Sequence, residues 1–144
     1  MKASVCVLFA VACWIVSQAD ESPMVLTLGK VMNDLEKINR GMGKSTTLIN
    51  SPSTNDLKDC CIEPALESFR HNVTRLPITD AKLIKIGGKI SRELRKSIIM
   101  NGLHKCGKEE TQKAQCESSY SEVDSKTFVQ NFRTLLQKIY ASQA

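Results

Sequence analysis

Apolar residues recur at spacings of three and four in four stretches of the chain, and this period predicts four amphipathic helices. Segment A runs from about Pro23 to Gly41, where the proline suits a first helical turn and the glycine suits an ending. Its apolar stripe consists of Val25, Leu28, Val31, Met32, Leu35 and Ile38. Segment D begins at a capping Asp124 or Ser125 and runs to about Ala141. Its wider stripe consists of Phe128, Val129, Phe132, Leu135, Leu136 and Ile139.

Segment B carries the same period with an interruption. It spans about Asp56 to Val73, and its apolar positions are Leu57, Cys61, Leu66 and Phe69. Pro64 falls inside this pattern, and a proline removes one backbone hydrogen bond of a helix. We therefore expect a turn of helix before Cys61 and a main helix from about Glu63.

Segment C opens at Thr79 as its N-cap and ends at Asn101-Gly102. Its apolar stripe consists of Leu83, Ile86, Ile90, Leu94 and Ile98. Gly87-Gly88 weakens the helix, so it could bend or split there. The links from A to B (44–55) and from C to D (103–123) are polar and are predicted to be loops, and no stretch predicts a strand.

Four amphipathic helices in one domain predict an all-α fold, a four-helix bundle. The links from A to B and from C to D are long enough to cross over a bundle, whereas short links join antiparallel neighbours. These lengths are compatible with a short-chain bundle of up-up-down-down topology, in which A and B run one way and C and D the other.

The first 19 residues have the anatomy of a secretory signal peptide. Lys2 precedes an apolar run from Val5 to Val16, and Ser17 and Ala19 supply small residues before a cleavage point ahead of Asp20. The run is shorter than the roughly 20 apolar residues of a membrane-spanning helix. Cleavage would leave residues 20–144 as one secreted, extracellular domain.

Four cysteines remain after that cleavage: Cys60, Cys61, Cys106 and Cys116. An even number in a small secreted chain is typical of two disulfides. Adjacent cysteines do not easily bond each other, so both bridges should join segment B to the link between C and D. No tetrahedral zinc-ligand spacing emerges, and we expect neither a metal nor a cofactor.

The chain carries no motif on which catalysis could be built. It lacks a Gly-x-Ser-x-Gly elbow, a His-Glu-x-x-His pair and a phosphate-binding glycine loop. We therefore expect a protein that is not an enzyme. The formal net charge of +5 becomes +4 without Lys2, and scarce aromatic residues argue against nucleic-acid binding.

Segment C has a second, basic stripe beside its apolar one, formed by Lys82, Lys85, Lys89, Arg92 and Lys96. The first four are the predicted contacts for glycosaminoglycan. Such a stripe is either a solvated helix face or a surface for anionic partners such as heparan sulfate. The second interpretation gives an alternative function, a secreted cationic helical protein that acts on membranes or glycosaminoglycans. Asn72-Val73-Thr74 is a glycosylation sequon near the end of segment B, so Asn72 is a predicted glycan site.

Segment D carries the most specific resemblance to a known family. The stretch from Ser125 to Tyr140 is similar to the last helix of the interleukin-2, -15 and -21 group of short-chain four-helix cytokines, with its Lys-x-Phe-x-x-x-Phe-[Lys/Arg]-x-Leu-Leu-Gln-Lys core. Cys116-Glu-Ser-Ser-Tyr120 and the stretch from Cys60 to Phe69 also resemble that family. The chain most resembles the interleukin-21 branch as found in non-mammalian vertebrates. The basic segment C favours that branch, while the cysteine spacing leaves interleukin-2 and interleukin-15 open.

The resemblance implies a cytokine that dimerises two type I receptor chains and so regulates lymphocyte proliferation, differentiation and the immune response. The last helix would meet the common γ chain through Gln137 and Tyr140; as an alternative, Tyr140 closes the end of the bundle. The first helix would meet a private receptor chain through four exposed residues, Lys30, Asn33, Asp34 and Lys37.

The resemblance also implies how the cysteines pair. The crossed pattern of the family would join Cys60 to Cys106 and Cys61 to Cys116. We expect a monomer that does not insert into membranes.

Overall fold

The computed structural model describes residues 22–143 and is mostly helical. Six α-helices lie in this part of the chain: α1 (Pro23–Gly41), α2 (Asp59–Asn72), α3 (Ala81–Glu93), α4 (Ser97–Met100), α5 (Lys108–Ala114) and α6 (Ser125–Gln143). Two strands, β1 (Leu48–Ser51) and β2 (Ser121–Asp124), and 3₁₀ turns at Val73–Arg75 and Cys116–Ser119 lie between them. The expected signal peptide, with its cleavage point after Ala19, falls outside the described residues.

The first and last helices agree with the prediction. Helix α1 has the bounds expected for segment A, and the hydroxyl of Ser22 caps it by accepting a hydrogen bond from the N–H of Val25 at 3.2 Å. Helix α6 corresponds to segment D and extends to Gln143. Asp124 caps it, because its Oδ1 accepts a hydrogen bond from the N–H of Thr127 at 2.8 Å.

Segment B forms one helix, so the expectation of a separate turn before Cys61 is wrong. Helix α2 begins at Asp59 and continues through Pro64. The proline deprives only the carbonyl of Cys60, four residues earlier, of its intrahelical donor. The first turn nevertheless holds, since the two cysteines in it are fixed by disulfides to another part of the chain.

Segment C splits, but not at its two glycines. Helix α3 runs through Gly87-Gly88 and ends at Glu93, and the short α4 follows it. The N-cap is Asp80, whose Oδ1 accepts a hydrogen bond from the N–H of Lys82 at 2.8 Å, and the prediction of Thr79 is wrong.

The break after α3 changes which isoleucine enters the core. Ile99 is fully buried, whereas Ile98 is 41% exposed and does not continue the predicted apolar stripe. A stripe holds its phase only within one uninterrupted helix, and the helix ends before Ile98.

The prediction that the chain contains no strand is also wrong. Strands β1 and β2 pair antiparallel, with Leu48 opposite Asp124 and Ser51 opposite Ser121. They lie in the two links predicted to be loops, and α5 occupies part of the second link. The central partners, Ile49 and Val123, pack against the core, which gives two otherwise polar links an apolar contact.

The core lies between the four longer helices, α1, α2, α3 and α6. Phe69 of α2 meets Phe128 and Phe132 of α6, with ring centroids 5.4 Å and 4.9 Å away. Around them lie fully buried side chains from all four helices: Leu28, Leu35, Ile38, Leu66, Ile90, Leu135 and Leu136. Each such side chain contributes about 2 kcal/mol through removal of apolar surface from water.

Helix α1 packs against α3 on one side and α6 on the other, while α2 packs against α6 and α3. Gly41, at the end of α1, lies against Leu83 near the start of α3. Met24, at the start of α1, lies against Gly102 just beyond α4. A Cβ at either glycine would overlap the facing side chain, so glycine permits the close approach at both ends of this contact.

Side-chain hydrogen bonds bring other helix ends close together. Gln143 Nε2 donates a hydrogen bond to the carbonyl of Gly102 at 3.1 Å, which brings the end of α6 close to the start of α1. Lys138 Nζ donates to the carbonyl of Leu57 at 3.1 Å, which brings the second half of α6 beside the start of α2.

Two disulfides join the start of α2 to the link between α4 and α6. They pair Cys60 with Cys106 and Cys61 with Cys116, as the family resemblance implied. Disulfides of this kind are typical of proteins that fold in an oxidising compartment. Within residues 22–143, no helix combines the length and the apolar character needed to cross a bilayer.

Candidate functional site

The residues predicted to bind a receptor chain or glycosaminoglycan lie on three neighbouring helices. Helix α1 lies between α3 and α6, so its outer face borders the outer faces of both. The residues predicted for the private receptor chain, for the common γ chain and for glycosaminoglycan are therefore on one side of the molecule.

Three of the four residues predicted on α1 are exposed: Lys30, Asn33 and Lys37. The prediction that Asp34 is also exposed is wrong, because this residue is only 7% exposed. Its carboxylate lies 3.7 Å from Lys37 Nζ on the same helix and 3.5 Å from Lys89 Nζ on α3. Asp34 therefore connects α1 to α3, and a partner at this surface would meet the two lysines instead.

A second charged contact joins α1 to α6. Glu36 Oε2 lies 3.0 Å from an Arg133 guanidinium nitrogen on α6, and its Oε1 lies 3.3 Å from Arg40 Nε on α1. The pair within α1 has the spacing of four that the sequence displays. The contact with Arg133 could not be found from the sequence, since the two residues are 97 positions apart.

The two residues predicted on α6 differ in exposure. Gln137 is exposed, and it lies one turn after Arg133, at the edge of α6 that borders α1. Tyr140 is half-buried and packs against the core. Tyr140 thus contributes to closing the end of the helix packing, and only part of its ring can meet a partner.

Four members of the basic stripe lie on α3, and these four are not equivalent. The fifth, Lys96, lies beyond the end of α3 and pairs with Glu93 at 2.9 Å. Lys82, Lys85 and Arg92 are exposed, and within the described residues no carboxylate lies at ion-pair distance from them. Lys89 is held by the buried carboxylate of Asp34. Three of the four cations are therefore free to meet an anionic partner, and the fourth has a structural contact.

A groove of about 930 Å³ lies on the other side of the molecule, between α2 and the link that follows α4. Its charges are mixed: Glu63, Glu67 and Glu117 face it together with His104 and Lys108. The sequence had singled out none of these residues, because they share no motif and come from distant segments.

The cysteines at this groove are fully oxidised. Cys60 and Cys106 are half-buried, and a Glu110 carboxylate oxygen lies 3.8 Å from Cys60 Sγ. Because the two sulfurs are bonded to each other, they offer neither a thiolate nucleophile nor a thiolate metal ligand.

The predicted glycan site lies where α2 ends. Asn72 is half-buried, and its Nδ2 donates a hydrogen bond to the carbonyl of Asn50 in β1 at 3.2 Å. The hydroxyl of Thr74, the third residue of the sequon, donates to the carbonyl of His71 at 2.9 Å. The sequon is thus folded against the link from α1 to α2, and a glycan there would project beside β1.

Two titratable groups near the start of α6 have pKa values shifted from their ordinary ones. Hydrogen bonds from Thr127, by its side chain and its N–H, lower the pKa of Asp124. Burial raises the pKa of Tyr120, and the neighbouring carboxylate of Glu117 raises it further. Both shifts arise from structural contacts, and neither group is one of the predicted partner residues.

Comparison with protein-family models, with curated proteins and with solved structures finds no match for this chain. The family resemblance therefore rests on the residues of the last helix and of the cysteine-bearing stretches alone.

Proposed function

We propose that this protein is a secreted cytokine of the interleukin-2, -15 and -21 group that brings together a private type I receptor chain and the common γ chain on lymphocytes. In this proposal α1, α2, α3 and α6 form a four-helix bundle of up-up-down-down topology. In this proposal the protein acts by binding and not by catalysis.

The antiparallel pairing of β1 with β2 is the observation that carries the proposal. In an up-up-down-down bundle the link from the first to the second helix descends the bundle, and the link from the third to the fourth ascends it. The two links must then pass in opposite directions, and β1 and β2 lie one in each of these links.

The contacts at the helix ends support the same topology. The start of α1 and the end of α6 both reach Gly102, which follows α4, and the end of α1 meets the start of α3. The start of α2 lies beside the second half of α6 through the contact between Lys138 and Leu57. In these contacts α1 and α2 each run opposite to the helices on which they pack.

The surface of α1 and its neighbours supports a receptor-binding role. Lys30, Asn33 and Lys37 on α1 and Gln137 on α6 are exposed on helices whose apolar sides are buried. A rigid helix face with exposed polar side chains is a suitable binding surface, since its backbone loses little order on binding.

The alternative, a membrane-active cationic helix, has less support. A helix that lies in a membrane surface must offer its apolar face to lipid. On α3 that face is in the core, where Leu83 is 8% exposed and Ile90 is inaccessible.

The proposal is tested by measuring binding of the oxidised protein, residues 20–144, to immobilised ectodomains of the common γ chain and of the private chains for interleukin-2, interleukin-15 and interleukin-21. We expect one private chain to bind and the γ chain to join that complex. A folded protein that binds none of these ectodomains would contradict the proposal.

A further inference from the structure

The strongest charged feature of the molecule spans two helices. We call it the basic face, and it consists of Lys30 and Lys37 on α1 with Lys82, Lys85, Lys89 and Arg92 on α3. Lys30 precedes Asp34 by four residues and Lys37 follows it by three, so both lie on the edge of α1 where Asp34 meets Lys89. The ion pairs of Asp34 thus join the cations of the two helices into one surface.

The acidic groups close to this face leave most of its charge uncompensated. Asp34 is buried beneath Lys37 and Lys89, and Glu93 lies 2.9 Å from Lys96. Among the described carboxylates, none lies within ion-pair distance of Lys30, Lys82, Lys85 or Arg92. Four cations on adjacent helices therefore face solvent with their charge available.

We propose that the basic face binds a sulfated polysaccharide, and that the bound polysaccharide excludes the private receptor chain from α1. The first part depends only on the charges described above. The second part rests on the proposed function, because it requires that the receptor chain meets Lys30 and Lys37.

The shape and composition of the face favour a linear polyanion. Packed helices lie about 8–10 Å apart, and successive turns of each helix rise about 5.4 Å, so the cations form an extended array rather than one pocket. No member of the array is aromatic, which leaves nothing to stack on nucleic-acid bases. The apolar side of α3 is buried and cannot insert among lipids, so a hydrated polysaccharide is the better ligand than a membrane.

Lys89 is excluded from the test variant because it also holds Asp34. The test variant is Lys82→Gln with Lys85→Gln and Arg92→Gln, which removes three cations that make no ion pair with a described carboxylate. The matched control is Lys108→Gln with Lys113→Gln and Lys126→Gln, which removes the same charge from exposed residues on α5 and α6. Unchanged circular dichroism and unfolding midpoints establish that both variants are folded.

The first measurement is affinity for immobilised heparin over a range of salt concentrations. Each cation near a polyanionic surface contributes about 1 kcal/mol, so the test variant should bind at least about tenfold more weakly at physiological salt. The slope of log affinity against log salt should also fall, since fewer counterions are released. The control variant should lose less than about threefold, because charges beyond the Debye length of about 8 Å are screened.

Further variants and ligands decide the extent and specificity of the site. Adding Lys30→Gln to the test variant should weaken heparin binding again if the site reaches α1. Equal losses in the test and control variants would overturn the site, because attraction would then depend on net charge alone. Equal attachment to vesicles of anionic phospholipid, with the same dependence on the test variant, would overturn the choice of polysaccharide.

The second measurement is binding of the private receptor ectodomain in the presence of a heparin-derived oligosaccharide. The oligosaccharide should lower binding of the wild-type protein and should have little effect on the test variant. Undiminished receptor binding by heparin-saturated wild-type protein would overturn the exclusion. If no private ectodomain binds at all, the proposed function fails and the exclusion fails with it, while the heparin measurement still decides the polysaccharide site.

Discussion

The two sides of this molecule are held together in different ways. On one side, the link between α4 and α6 lies against the start of α2 and is joined to it by both disulfides. Helix α5, in that link, has no buried residue among its seven. On the other side, α1 packs between α3 and α6 with Leu28, Leu35 and Ile38 inaccessible to solvent. Covalent bonds therefore hold a segment that buries few of its side chains, whereas α1 is held mainly by apolar burial, with the ion pairs of Asp34 and Glu36 on its flanks.

This difference also separates the surfaces that a partner could use. The disulfide side presents short elements and a groove of mixed charge. The α1 side presents long helices whose outer faces are continuous and carry the basic face. We therefore place both proposed partners, receptor and polysaccharide, on the α1 side.

The largest expected effect comes from removing a disulfide. Cys61→Ala with Cys116→Ala removes the bridge that spans 55 residues. Because the Cys60–Cys106 bridge remains, the segment that this variant frees is the short one between Cys106 and Cys116, and the chain-entropy model assigns a loop of that size about 3 kcal/mol. Urea denaturation should show this loss in the free energy of unfolding. A loss of less than about 1 kcal/mol in the free energy of unfolding would mean that packing, and not the disulfide, mainly holds the link between α4 and α6 in place.

A smaller effect should come from the buried ion pair on the α1 side. Lys37→Met with Lys89→Met leaves the carboxylate of Asp34 buried without a partner while keeping the apolar stems of both side chains. We expect a loss of about 2 kcal/mol in urea denaturation, less than for a pair with both charges buried, because the lysines are about half exposed.

The matched control for that variant is on the other flank of α1. Arg40→Met with Arg133→Met removes both partners of Glu36, whose side chain is 27% exposed and can be solvated. Its loss should be below about 1 kcal/mol. Equal losses from the two double variants would contradict the claim that burial distinguishes these contacts.

The smallest effect concerns the cap of α6. Thr127 lowers the pKa of Asp124 below its ordinary value of 3.8, so the cap stabilises the fold above that value. This contribution is lost as the pH falls through the lowered pKa of the folded state. Asp124→Asn should therefore show a small loss of stability at neutral pH, which disappears in acid; asparagine is itself a good cap. If the difference in free energy of unfolding between the wild type and Asp124→Asn stays constant from neutral to acid pH, the proposed contribution of the Asp124 carboxylate to the cap is wrong.

The helices of the α1 side could be predicted because their apolar residues repeat without interruption. The bounds of α1 and the cap of α6 follow from residues close together in the chain. The break after Glu93 could not be predicted in the same way. Gly87-Gly88 has the lower helix propensity and is nevertheless helical, so propensity pointed to the wrong position for the break.

The disulfide side was less predictable because its order depends on contacts between distant segments. Strands β1 and β2 are four residues each and exist only through each other. Pro64 remains inside α2 because the cysteines before it are fixed from outside the helix. In the candidate site, spacing along the helices identified the exposed lysines, but the burial of Asp34 depends on how α1 meets α3.

The central claim is that receptors bind the α1 side, and one charge inserted on each side tests it. Gln137→Asp places a carboxylate on the exposed face of α6, and Gln112→Asp makes the same change on α5. Tyr140 is left intact because it packs against the core.

The measurement is the affinity of the common γ-chain ectodomain for each variant held by the private receptor chain. We predict that Gln137→Asp weakens this affinity by about tenfold or more, since it buries an unpaired charge at the interface, and that Gln112→Asp leaves it unchanged. Equal affinity of both variants, or a greater loss for Gln112→Asp, would contradict the account.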